Sequence, residues 1–181
     1  MEVEAIVSHP SVRLGIDQAA GAVPMTDIGV FILKEPVDLP CATLAHVGLL
    51  DELKKAGLLR DNGAPSGFVA AGYGVDLQFP PPEIIGPDGL RRFVSSAFRS
   101  LTKGWLMLNQ NAAQGNGGTG YFDSGGPRFW TTPDGELIVV GITSRGDPLL
   151  VSIDIACRID TTAARNFIDA VIEAVEEAEA P

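Results

Sequence analysis

The sequence predicts an all-β fold with a helix at its C-terminal end, and three observations lead there. Glycine (21) and proline (13) punctuate a chain of 181 residues that is 45% apolar, a mix that suits many short strands joined by turns. The apolar stretches are brief and read as strands, as at residues 3–7, 28–33, 105–108 and 137–142. After Thr161-Thr162, which can cap a helix, the period changes: Phe167, Ile168, Val171, Ile172 and Val175 recur at helical spacing.

In chain order, Val3, Ala5 and Val7 alternate with Glu2, Glu4 and Ile6 as a strand, and Ser8-His9-Pro10-Ser11-Val12 follows as a turn. Residues 13–25 form a loop. Asp27 opens a strand over 28–33 that ends before Pro36. Residues 37–62 read as a connector, extended over 39–44 and helical for a turn or two over 47–55. Asn62-Gly63-Ala64-Pro65-Ser66-Gly67 breaks it. A second unit opens with Phe68-Val69-Ala70-Ala71-Gly72-Tyr73-Gly74. Residues 79–83 and 86–89 are loops, and 91–101 fits a strand or a helix equally. Trp105-Leu106-Met107-Leu108 is an apolar strand. Pro133-Asp134-Gly135 is a hairpin turn between strands at 128–131 and 137–142. The end of the chain, 176–181, reads as a frayed acidic tail. No internal repeat is present.

Net charge is −10 and the isoelectric point about 4.5. Phosphates would be repelled, which argues against nucleic acid or an anionic membrane as a partner. Much of the acid lies in the tail, so the charge says little about a substrate. Cys41 and Cys157 lack metal-site spacing. A disulfide between them is neither required nor excluded by the sequence. No apolar run is long enough to span a bilayer, and no signal peptide is visible. Gly115-Asn116-Gly117-Gly118-Thr119-Gly120 satisfies G-x-G-x-x-G, but a dinucleotide site needs a helix after the glycines and Tyr121 to Pro127 cannot start one. No cofactor and no metal are expected.

Gly120-Tyr121-Phe122-Asp123-Ser124-Gly125-Gly126-Pro127 is the stretch with chemical content. It is a tight turn carrying one hydroxyl, with glycines that let the backbone approach whatever meets the serine. A weak nucleophile is presented in this way. Upstream lies Thr26-Asp27-Ile28-Gly29-Val30-Phe31-Ile32-Leu33. Downstream lies Val139-Val140-Gly141-Ile142-Thr143-Ser144-Arg145-Gly146. These three stretches, in that order, resemble the trypsin/chymotrypsin-like serine protease family, over about residues 3 to 168.

The resemblance implies a double β-barrel whose first barrel is incomplete, followed by a C-terminal helix. It divides the chain into a remnant of the N-terminal barrel (1–40), an inter-barrel connector (41–66), a C-terminal barrel with the serine loop (67–160), and the helix and tail (161–181). It implies hydrolysis of a peptide bond in a peptide or protein substrate, and a secreted or extracellular protein. Ser124 would be the nucleophile and Asp27 the carboxylate that orients the base. The backbone N–H groups of Phe122 and Ser124 would form the oxyanion hole. Gly118, Ser144 and Gly146 would wall the substrate pocket. Gly118 is not an acid, so a preference for Lys or Arg beside the scissile bond is not expected. Asp123 matches an aspartate that, in the family, pairs with a freshly cleaved N-terminus.

Three departures bear on activity. The family's Thr-Ala-Ala-His-Cys-like segment has no counterpart, and the two histidines, His9 and His46, read as surface residues. Phe122 replaces a glycine, and a side chain there resists the backbone conformations that glycine allows. Arg145 replaces a usual aromatic. Loss of a triad member costs on the order of 10⁴ to 10⁶ in turnover, so the chain by itself is expected to be nearly inert, with an N-terminal segment missing. The alternative is a non-catalytic binding protein on the same scaffold. Strand edges left open near residues 28–33 predict poor solubility.

Overall fold

The computed structural model describes residues 1–12, 26–60, 67–78 and 83–179. The loop expected at 13–25, most of the break at 62–67, the prolines of 79–82 and the last two residues of the tail lie outside the described residues.

The chain is mostly β, and its centre is a closed antiparallel barrel of six strands. The first two strands stand apart from it: β1 (Val3–Ser8) pairs antiparallel with β2 (Gly29–Leu33) in a two-stranded sheet. A two-residue strand β3 (Thr43–Leu44) and a short helix α1 (Leu49–Lys55) fill the connector. The barrel strands are β4 (Phe68–Gly72), β7 (Arg92–Leu101), β8 (Trp105–Asn109), β9 (Pro127–Thr131), β10 (Leu137–Gly146) and β11 (Ile153–Arg158). Between the first two, β5 (Asp76–Gln78) and β6 (Glu83–Ile85) form a small hairpin. Around the barrel the order is β4-β7-β8-β11-β10-β9 and back to β4, every pairing antiparallel. β3 adds to β10 in parallel, Thr43 opposite Ile138. Of residues 91–101, undecided by pattern, 92–101 are strand: Phe68 to Gly72 lie opposite Ser96 to Arg92 in an unbroken register.

Strands β8 and β11 and the middle of β10 bury both faces, which explains why Trp105-Leu106-Met107-Leu108 is apolar throughout. Alternate residues point opposite ways. Leu106, Leu108, Val140 and Ala156 face the barrel interior with Phe68 and Phe98, where Leu49, Leu50 and Leu53 of α1 join them. Their neighbours Trp105, Val139 and Cys157 face outward into a second cluster with Ile28 and Ile159. Helix α2 (Thr162–Glu179) covers that outer face with Phe167 and Ile168. The Thr161 hydroxyl caps it by accepting from the Ala164 N–H at 3.2 Å. α1 is anchored to the same corner: Asp160 accepts from the Leu50 N–H at 2.9 Å, and Arg158 binds both Asp160 and Asp51.

Ile28 is the link between the two-stranded sheet and the barrel. Its side chain is buried in the outer cluster, so the chain just before β2 is laid along β11. That placement carries Asp27 to the barrel.

Candidate functional site

Asp27 is fixed through both its backbone and its carboxylate. Its N–H donates to the Cys157 sulfur at 3.2 Å, and its Oδ2 accepts from the Ser144 hydroxyl at 2.6 Å. Burial pushes the Cys157 thiol up to about 11, so at neutral pH it is a protonated, inert acceptor. Cys157 is buried and Cys41 is exposed.

The serine loop reaches the same strand one residue earlier. The Gly125 N–H donates to the Thr143 carbonyl at 2.9 Å, and the Thr143 N–H donates to the Gly126 carbonyl at 2.9 Å. Thr143 therefore clamps the loop and Ser144 clamps Asp27. Ser124 stands exposed at the tip, its hydroxyl without a hydrogen-bond partner among the described residues.

Asp123 shapes the loop from behind. Its Oδ1 accepts from the Gly74 N–H at 2.8 Å and its Oδ2 from the Gly120 N–H at 2.9 Å. A Cβ on Gly72 would lie 2.0 Å from that carboxylate, and one on Gly74 2.5 Å from it. The glycines of the Gly72-Tyr73-Gly74 turn are thus required by the close approach of one aspartate. Phe122 takes φ +74°, the left-handed region, with its ring 73% exposed. Its side chain gains no packing that offsets this backbone conformation. The N–H groups of Phe122 and Ser124 donate to no group among the described residues.

Gly118 and Gly146 converge although 27 residues separate them in the chain. A Cβ on Gly118 would meet Gln110 Cδ at 2.7 Å and Asp154 Oδ2 at 2.9 Å. A Cβ on Gly146 would meet Gln110 Oε1 at 3.7 Å and Asp154 Cα at 3.9 Å. Asp154 is fully buried against an equally buried Arg128, and it accepts from the Thr119 N–H (2.8 Å) and hydroxyl (2.9 Å). Sequence reasoning missed this pair. The signals were a lone acid inside the apolar run Ile153-Asp154-Ile155 and an arginine directly after Pro127. Ser144 was assigned to the pocket wall, and its contact with Asp27 is the additional role the structure gives it. Arg145 turns its guanidinium over the Trp105 ring, 5.0 Å from the centroid.

Neither histidine bonds Asp27 or Ser124, although the His9 backbone N–H donates to the Ile28 carbonyl, one residue beyond Asp27, at 3.0 Å. His9 Nδ1 shares a hydrogen bond with the Ser11 hydroxyl at 2.8 Å, and its ring packs edge-on against Phe167 at 5.1 Å. His46 Nε2 lies 3.0 Å from Glu52 on the surface. A cavity of about 710 Å³ lies away from the place where Ser124 and Asp27 meet β10. It opens behind the loop, between Ala70, Val75, Val94 and Gly118, and touches the loop through Asp123. Its size does not outweigh the geometry at Ser144 as the mark of chemistry, because it holds no nucleophile. No group of three or more metal-ligating side chains occurs among the described residues, and no described helix is long and apolar enough to cross a membrane.

An exposed hydroxyl on a stiff turn with two unused N–H groups beside it is what acyl transfer asks of a nucleophile and its oxyanion donors, and the Asp27 carboxylate is held by the residue that follows Thr143, the one that holds the loop. The part without a candidate is the base. Compared with models of known protein families and with curated proteins, the chain matches none.

Proposed function

We propose that the chain carries the nucleophile-bearing part of a trypsin-like serine endopeptidase site. Ser124 attacks the peptide carbonyl, the N–H groups of Phe122 and Ser124 receive the oxyanion, and Asp27 orients the imidazole that takes the serine proton. One observation carries the reading: Asp27 and the Ser124 loop are bonded to the consecutive residues Ser144 and Thr143 of one strand.

An imidazole is needed, and neither histidine of the chain bonds Asp27 or Ser124: the His9 ring bonds Ser11 and packs on Phe167, and His46 bonds Glu52. The reading therefore requires a histidine from a segment outside this sequence, and secretion belongs to the same reading. The test is labelling by a fluorophosphonate. The chain alone should label no faster than a surface serine. A product extended in frame upstream of Met1 to include a histidine segment should label rapidly, and Ser124→Ala should abolish it. Equally slow labelling of the extended product would overturn the assignment.

The second reading is a non-catalytic peptide-binding protein on the same scaffold. Phe122 favours it, because a large exposed side chain at φ +74° lies beside the nucleophile. It predicts peptide binding with no labelling in any form of the protein.

A further inference from the structure

The cavity of about 710 Å³ behind the serine loop has the size of a small-molecule site. Val75, Leu77, Val94 and Leu150 give it apolar walls. Phe93 and Val151 also line it and are exposed, so it communicates with solvent. The charges in its wall are already answered. Arg92 holds Asp88 at 2.7 Å and lies 3.9 Å from Asp76. The two oxygens of Asp123 accept from the Gly74 and Gly120 N–H groups.

One wall is strained. Leu150 takes φ +57° with its side chain buried. A leucine resists that conformation, and it persists only where the surroundings hold it. Leu150 Cδ1 lies 3.3 Å from the Cβ position of Gly120, and Val75 Cγ2 lies 3.0 Å from the same point. Two walls of the cavity therefore close on Gly120. The Gly120 N–H in turn holds Asp123, the neighbour of Ser124. A body that fills the cavity presses on Val75 and Leu150, and through Gly120 on the serine loop.

We propose that this cavity is a binding site for an uncharged, largely apolar small molecule, and that its occupancy is felt at the serine loop through Leu150, Gly120 and Asp123. A cation would give up its hydration and compete with two N–H groups for Asp123. An anion would face Asp76 and Asp123. Such a site needs no reaction at Ser124, so it stands apart from the peptidase reading. The test titrates N-phenylnaphthylamine, an uncharged fluorescent probe, and its anionic sulfonate into the full chain. The uncharged probe is expected to bind about tenfold more tightly than the sulfonate. Naphthylmethanol should displace it at about tenfold lower concentration than the cationic naphthylmethylamine. NMR of the labelled protein should show shifts at Leu150, Gly120 and Asp123. Ala113 and Val151 are exposed positions of the wall, and Ala113→Trp and Val151→Trp should each weaken the probe by about tenfold. Phe31→Lys, outside the wall, should leave its affinity unchanged.

Binding that survives both tryptophans, or is lost in Phe31→Lys, places the probe on another apolar surface and overturns the site. Tighter binding of the amine than of the alcohol overturns the uncharged ligand. Shifts that stop at the wall without reaching Gly120 and Asp123 overturn the link to the loop. Absence of binding by every probe removes the site and leaves the fluorophosphonate test of Ser124 untouched.

Discussion

Ser144 Oγ donates to Asp27 Oδ2 at 2.6 Å, joining residues 117 positions apart. It is a charge-assisted hydrogen bond in a half-buried setting, and bonds of that kind are worth about 1.5–3 kcal/mol. It also ties the two-stranded sheet of β1 and β2 to the barrel. Ser144→Ala and Asp27→Ala are each expected to destabilise the protein by roughly 1–3 kcal/mol. The double variant should cost less than the two singles summed, by about 1 kcal/mol or more. Urea denaturation of the four proteins measures this, and strict additivity would show that the bond does not hold the sheet in place.

Phe122 gives a change in the opposite direction. Its φ of +74° strains any residue with a Cβ, and its ring is mostly in solvent. Phe122→Gly should therefore stabilise the chain by about 1 kcal/mol, offset in part by the greater freedom of glycine when unfolded. For a chain of this size the melting temperature would rise by roughly 2–4 °C. A fall on substitution would mean that the ring makes a contact in solution that favours the left-handed turn.

Much of this architecture was legible in the residues. The serine loop, the Asp27 strand, the Pro133-Asp134-Gly135 hairpin and the C-terminal helix each rest on local signals, namely turn chemistry and periodicity, and appear close to where those signals put them, except that the helix continues to Glu179 through residues read as a frayed tail. The undecided stretch at 91–101 became a strand through its pairing with β4 and β8, a non-local fact that periodicity does not carry. The strand at 28–33 begins at Gly29 because Ile28 turns into the outer cluster instead of pairing. Arg128, Asp154 and Gln110 were overlooked for a related reason. A buried polar residue is recognisable only by its partners, and these partners come from three different strands. Of the two histidines read as surface residues, His46 is exposed, whereas His9 is half-buried with its ring against Phe167.

The Arg128–Asp154 pair should be the most sensitive polar contact in the barrel. Both side chains are fully buried, and Arg128 Nε and Nη1 have no other partner among the described residues. Removing one member leaves an uncompensated buried charge, at about 3–5 kcal/mol. Arg128→Met and Asp154→Leu are each expected to lower the melting temperature by roughly 10 °C. The double variant should recover part of that loss, as the remaining charge is gone. Two singles that melt like the parent would show that water reaches the pair.

The two-stranded sheet exposes an apolar cross-strand pair. Ile6 and Phe31 lie directly opposite each other and are both about two-thirds exposed, at 67% and 66%. Directly opposed residues share a face, and this sheet has no third strand among the described residues. Self-association through this face is expected at high concentration. Phe31→Lys should shift the sedimentation profile toward monomer without changing the melting temperature appreciably. An unchanged profile would place the sticky surface elsewhere.

Acid should loosen the wall that ends at Gly146. Asp147 follows it, and its carboxylate accepts from the N–H groups of Leu149 (3.0 Å), Val151 (3.1 Å), Ser152 (2.7 Å) and Ile153 (3.1 Å). Partial burial is the largest single influence on this group and acts to raise its pKa. The four amides together outweigh it and hold the carboxyl below its ordinary value of 3.8. The folded form thus binds the proton less readily than the unfolded form. The stabilisation is complete above the ordinary value and is lost as pH falls through the lower folded value. Amide exchange at Ser152 and Ile153 should stay slow on the neutral side and accelerate only below the usual Asp range. Asp147→Asn keeps one acceptor oxygen and removes the titrating group, so exchange there should be faster at neutral pH and should lose its acid-induced step. A step of the same size and midpoint in Asp147→Asn would assign the transition to another carboxylate.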